Sequence, residues 1–266
     1  MVALSRQNLS QSLGASIVAL LCVVAIGALQ IPQLNRLSDK AKTASLENLQ
    51  REVESERLRL NILKKLPSFG FNNLVADWTL ISFIQYFGDD LARPQTGYSL
   101  SPEYFEIILA RDPYFLSAYP FLSGSTTLYA GMPERSVALI EQGLKSLTPK
   151  VPSESYYIWR YKGTDELLFL GDTQAAKQSF ETAAQWASIY SDDESKNVAR
   201  LSRQTAQFLA TNPKSKSAQV SAWMMILDKA FDDRTRQAAI SRIQALGGKV
   251  TITSQGQVKV QLPKKD

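Results

Sequence analysis

No charged side chain occurs between Arg6 and Arg36. The middle of that gap, residues 13–29, reads LGASIVALLCVVAIGAL, with Ser16 as its one polar side chain. About 20 residues rising roughly 1.5 Å each cover a hydrocarbon core roughly 30 Å thick. The run therefore predicts a single membrane-spanning helix, with membrane contact over 13–34 and a water-soluble body after it. A cleaved signal peptide is the competing reading. It would use Arg6 as its basic region and Ile26-Gly27-Ala28 as an A-x-A-like site. The run is long for that role and Ile26 is not small, so an uncleaved anchor is expected. Lipidation of Cys22 is disfavoured because Leu21, not a small residue, precedes it. Arg36, Lys40 and Lys42 follow the run and Arg6 alone precedes it, which leans the body towards the cytoplasmic side.

Composition excludes several chemistries. The 266 residues include no histidine and one cysteine, Cys22, inside the apolar run. Ser-His-Asp and Cys-His catalysis are ruled out, as are His-ligated or multi-cysteine metal sites and an intrachain disulfide. The net charge of +5 is spread along the chain, without the clustered basic residues and interleaved aromatics of a nucleic-acid surface. Adjacent carboxylates occur at Asp89-Asp90, Asp192-Asp193-Glu194 and Asp232-Asp233. Neighbours in sequence point in different directions on a helix or strand, so these pairs read as turns and helix starts rather than catalytic dyads. No catalytic, cofactor-binding or metal-ligating residue is assigned, and no cofactor is implied.

The body divides by pattern. Residues 1–35 form the tail and anchor, and 36–69 a helical stem. Leu46, Leu49, Val53, Leu60 and Leu63 fall on a heptad seam that Glu56 interrupts. Such a seam either packs on the domain behind it or pairs two copies as a homo-oligomer through 46–63. Helical hairpins are expected over 70–190, further helices over 191–248, and a β-hairpin around Ser254-Gln255-Gly256 within 249–266. The hairpins turn at Gly88, Gly131 and Gly171. A long polar excursion from Asp90 to Leu100 stretches the first of them, as a binding loop or a tolerated insertion.

Gly171-Asp172, Ala176, Phe180 and Ala183 follow an aromatic helix and resemble the tetratricopeptide pattern. A weaker copy has Gly131 at the turn, Ser136, Ile140 and Gly143 on the second helix, and Gly124 as the small residue of the first. Gly131 and Gly171 lie 40 residues apart, against about 34 in the usual repeat, and 149–154 accommodates the excess. Together with the leader, the 71–80 stretch FNNLVADWTL, Tyr86-Phe-Gly-Asp89 and Asp112-Pro-Tyr-Phe115, these features resemble a family of bacterial membrane-anchored tetratricopeptide proteins. The resemblance covers about 70–190. It implies an α-solenoid scaffold that binds proteins. With the apolar run and the alternating tail, the expected fold is all-α: a single N-terminal transmembrane helix, a tetratricopeptide-like α-solenoid and a short C-terminal β-hairpin. The resemblance also implies a single-pass protein of the bacterial inner membrane.

Stacked hairpins curve, and their first helices line the inner surface. The repeat register then nominates Trp78, Ser82 and Gln85 from the first hairpin, Phe121 and Ser125 from the second, and Tyr161 and Asp165 from the third. Core packing is the competing account of Trp78, Phe121 and Tyr161. The functional expectation is a non-enzymatic, membrane-tethered adaptor that binds a protein or peptide segment, and no nucleic acid. A structural oligomerising stem is the alternative, and a carboxylate hydrolase a remote one.

Overall fold

The computed structural model describes residues 20, 27–31, 45–230, 232–252 and 258–265. Most of the expected anchor and the turn at 254–256 lie outside them. Among the described residues no helix is long and apolar enough to cross a membrane. The described chain is mostly helical with one small sheet, as the all-α expectation required.

Helix α1 (Leu46–Lys65) starts at Ser45, whose hydroxyl accepts the Asn48 amide. Its seam turns inward. Leu49 and Leu60 are buried, and Val53 and Leu63 pack against the main core. Glu56, the polar interruption, lies on the same side and binds the Tyr104 hydroxyl. The stem is thus one wall of the body, and its seam is covered by its own chain from Leu49 onward, while Leu46 at its start is exposed.

Three hairpins follow. The first pairs α2 (Asn72–Phe87) with α4 (Ser101–Arg111), separated by the one-turn α3 (Arg93–Thr96). The second runs from α5 (Ala118–Leu122), through a π-helical stretch at Ser123–Tyr129, to α6 (Pro133–Leu144). The third runs from α7 (Tyr156–Asp165), through a π-helical stretch at Glu166–Leu170, to α8 (Thr173–Ala187). Gly131 and Gly171 occupy the left-handed region at φ 67° and 68°, where a Cβ would be strained. Both hairpins therefore reverse by the same device, a widened last turn followed by a left-handed glycine. Gly88 does not share it, with φ −81°. The reversal there takes the whole 89–100 excursion, and this excursion is packed down rather than projecting. Ala92 and Leu100 are buried, and the Leu100 amide donates to the Tyr86 hydroxyl.

Helix α9 (Asp193–Thr211) packs along α8. A last pair, α10 (Lys216–Asp228) and α11 (Asp233–Ala245), leads to the antiparallel strands β1 (Lys249–Ile252) and β2 (Val258–Gln261). In their register Lys249 pairs with Gln261 and Ile252 with Val258. Two strands alone are marginal in water. This pair leans Val250 and Val260 on a cluster built from Val220, Trp223, Leu227, Ala239 and Ile243.

Close approach sets the repeat geometry. A Cβ on Gly143 would stand 2.0 Å from the Tyr119 hydroxyl and 2.9 Å from its ring carbon. Tyr119 is fully buried and donates to the Pro113 carbonyl at 2.8 Å. Gly143→Ala should cost about 1–3 kcal/mol through overpacking, measured by denaturant unfolding. In a Tyr119→Phe background the penalty should shrink, because the nearest clashing atom is gone. An unchanged penalty would show that the two residues do not meet.

Candidate functional site

The seven nominated residues do not form one surface. Trp78, Ser82 and Gln85 do come together, lining an open groove of about 470 Å³ between α1 and α2. Phe121 is half-buried, its ring edge-on to Phe83 at 6.4 Å. Tyr161 lines a separate, narrow apolar cavity of about 30 Å³ with Gly124, Phe169, Met225 and Ile226, room for about one or two waters. Ser125 and Asp165 are fully buried. The expectation of an inner groove running over all three hairpins is corrected on this point. Met225, Ile226 and Thr235 of α10 and α11 cover the inner side of the second and third hairpins. Leu128, Leu168 and Phe169 are drawn into the C-terminal core.

The open groove has a polar floor. Arg59 binds Glu56 with both Nη2 and Nε, at 2.5 and 2.7 Å, and Tyr104 donates to the same carboxylate. Burial disfavours the Glu56 anion, but the hydrogen bonds of Arg59 and Tyr104 outweigh it and hold the carboxyl below its ordinary range. Burial and the Glu56 contact push the Tyr104 phenol strongly up, so it stays a donor. Arg93 comes from the excursion. Its guanidinium stacks 4.0 Å above the Tyr86 ring, and its Nη1 donates to the Gly97 carbonyl at 3.2 Å. Arg93 is buried, yet its Nε has no hydrogen-bond partner among the described residues. A guanidinium lining the groove beside an aromatic wall suits a carbonyl or carboxylate. Trp78, exposed at the rim, offers an apolar anchor.

Asp165 does something else. Its Oδ1 accepts from Ser123 at 2.7 Å, and its Oδ2 from Ser136 at 2.7 Å and Thr127 at 3.0 Å. These hydroxyls belong to the second hairpin and Asp165 to the third, so one carboxylate joins the two. The next residue, Glu166, is also buried. It receives Lys162 and the Ser179 hydroxyl, the latter at 2.6 Å, while Lys162 also reaches Glu141 at 3.2 Å. Burial pushes Asp165 up to about 6 against the pull of its three hydroxyl donors. The role is adhesion between the second and third hairpins.

Sequence reasoning passed over Arg93, Glu56 and the Ser123–Thr127–Ser136 set. Glu56 carried a signal, since a carboxylate on an apolar seam must find a buried partner. Asp165-Glu166 in a mostly apolar aromatic helix carried another. Arg93 carried none, because a short helix inside a polar excursion leaves no period to read. The paired carboxylates act as expected: Asp89, Asp192 and Asp232 accept the amides of Ala92, Ser195 and Thr235 at 3.0, 2.8 and 2.8 Å.

No protein-family model, no curated protein and no solved structure matches this chain.

The Asp165 joint makes stability depend on pH. Its folded pKa lies above the ordinary carboxylate value, so the folded state holds its proton more tightly than the unfolded chain does. That contribution is complete below about pH 4 and is lost as the pH rises through about 6. Asp165→Asn removes the titration. Relative to the variant, the wild type should lose on the order of 2–3 kcal/mol between pH 4 and pH 7, seen in parallel urea titrations. Superimposable pH profiles would refute the assignment.

Proposed function

We propose that this chain is a membrane-tethered scaffold whose helical hairpins form a tetratricopeptide-type α-solenoid. Its groove between α1 and α2 takes a segment of a protein partner. Residues 13–34 act as the tether to a bacterial inner membrane, with the body on the cytoplasmic side. The observation that carries the reading is the pair of hairpins turning at Gly131 and Gly171, each by a π-helical last turn and a left-handed glycine. Small residues sit where their helices cross. Gly143 abuts Tyr119, and Gly163 lies against Ser179 and Phe180. Repeats of this kind build rigid frames for holding extended or helical segments.

The groove supplies the recognition chemistry. Trp78 anchors an apolar side chain, Gln85 and Ser82 offer hydrogen bonds, and Arg93 receives a carbonyl or carboxylate of the bound segment. The reading is binding rather than turnover, because the paired carboxylates serve as caps and the most buried one serves as a joint. Pairing of two copies through the 46–63 seam would require Leu60 to leave the core it fills and Leu49 to leave its buried place.

A photocrosslinking residue at Gln85 of the full chain, activated in native membranes, should give a discrete protein adduct. Arg93→Ala in the same chain should weaken that adduct several-fold, while the same probe at exposed Lys145 should give none. Equal labelling from both positions, or none from Gln85, would overturn the groove as the binding site.

A further inference from the structure

Helix α2 is apolar on two opposite sides. Ala76, Thr79, Phe83 and Tyr86 face the core. On the other side Phe71, Leu74, Trp78 and Ile81 are exposed, three of them by more than 60% (64%, 64% and 62%). At about 100° per residue these four fall within roughly 80° of arc. The stripe continues into the preceding turn, where Phe69 is 84% exposed. On α1, Leu58, Ile62 and Leu66 are exposed as well, at intervals of one turn. An exposed apolar stripe along one helix, opposite the side it buries, marks a docking or membrane surface.

We propose that this face rests in the interface of an anionic bilayer, so that the first hairpin lies flat on the membrane. The inference deepens the tethered reading and rests on it. Three observations favour lipid as the occupant. The face belongs to the first described helices after the uncharged 13–29 run, so in sequence it lies nearest the proposed tether. Its composition is that of an interfacial helix, with Phe and Trp beside aliphatic residues. Its end carries cations: Lys65 is exposed in the last turn of α1, and Arg111 ties Leu66 to the start of α2 through a 2.5 Å bond to the Leu66 carbonyl. These complement anionic headgroups. In a two-fold pairing of this face, both copies would bring like cations to one interface. The Phe69 backbone, at φ 49°, holds that ring outward from the turn.

The test uses the full chain in vesicles of phosphatidylglycerol and phosphatidylcholine brominated near the top of the acyl chains. Of four tryptophans, Trp78 is the exposed one, while Trp223 is buried and Trp159 and Trp186 pack against the core. Bromolipid should therefore quench up to about one quarter of the emission, the share of one indole among four. Trp78→Phe should abolish the quenching and Trp159→Phe should leave it. Phe69→Asp with Ile81→Asp, both at exposed positions, should reduce it at least twofold with unchanged helical circular dichroism. A carbonate wash separately reports the tether. Carbonate resistance without Trp78 quenching overturns the face and keeps the tether. Quenching without resistance keeps the face and overturns the tether. Loss of both overturns both.

Discussion

A carboxylate withdrawn from water must be either neutralised or surrounded by donors. Asp165 is surrounded: hydroxyls of Ser123, Thr127 and Ser136 reach it from the neighbouring hairpin. Apolar contact between two hairpins tolerates sliding, since one aliphatic neighbour serves nearly as well as another. Three hydroxyls converging on two oxygens do not, because a shift of one residue leaves an ion buried without donors. The relative placement of the second and third hairpins depends on this joint. So does the narrow space beneath them, into which α10 and α11 settle. The Lys162–Glu166–Ser179 cluster extends the same polar layer through the third hairpin.

With its inner side covered by α10 and α11, the body is left with its openings at the other end. There α1 and α2 flank a groove floored by Glu56, Arg59, Tyr104 and Arg93, and among the described residues no helix covers the outer side of α2. The two features share Trp78. A scaffold lying on a bilayer along α2 would present its groove beside the membrane surface. That arrangement suits a partner segment emerging from the same bilayer.

The elements were largely legible in the residues. Asp192 and Asp232 announce the starts of α9 and α11, and Gly131 and Gly171 announce turns, because capping and left-handed backbone are local requirements. The β-hairpin followed from alternation alone. The groove was legible only in part. The repeat register brought Trp78, Ser82 and Gln85 together correctly, since they share one helix. It failed for Ser125 and Asp165 because it assumes an inner surface open to water, whereas Ser125 is buried and Asp165 turns to the hydroxyls of the neighbouring hairpin. The excursion at 90–100 read as loop because its stabilisation is non-local: Arg93 stacks on Tyr86 and Leu100 binds the Tyr86 hydroxyl.

By itself, then, the amino-acid order determined what depends on near neighbours. It set an apolar leader without charge, a helical body, the places where helices begin and reverse, and the absence of histidine chemistry. Tertiary structure decided which faces remain available. It turned the α1 seam inward, buried Asp165 as a joint, folded the excursion over Tyr86 and left one side of α2 bare. The reason is physical. Capping and periodicity are settled within a few residues, whereas whether an apolar or charged side chain meets water depends on which distant segment arrives to cover it.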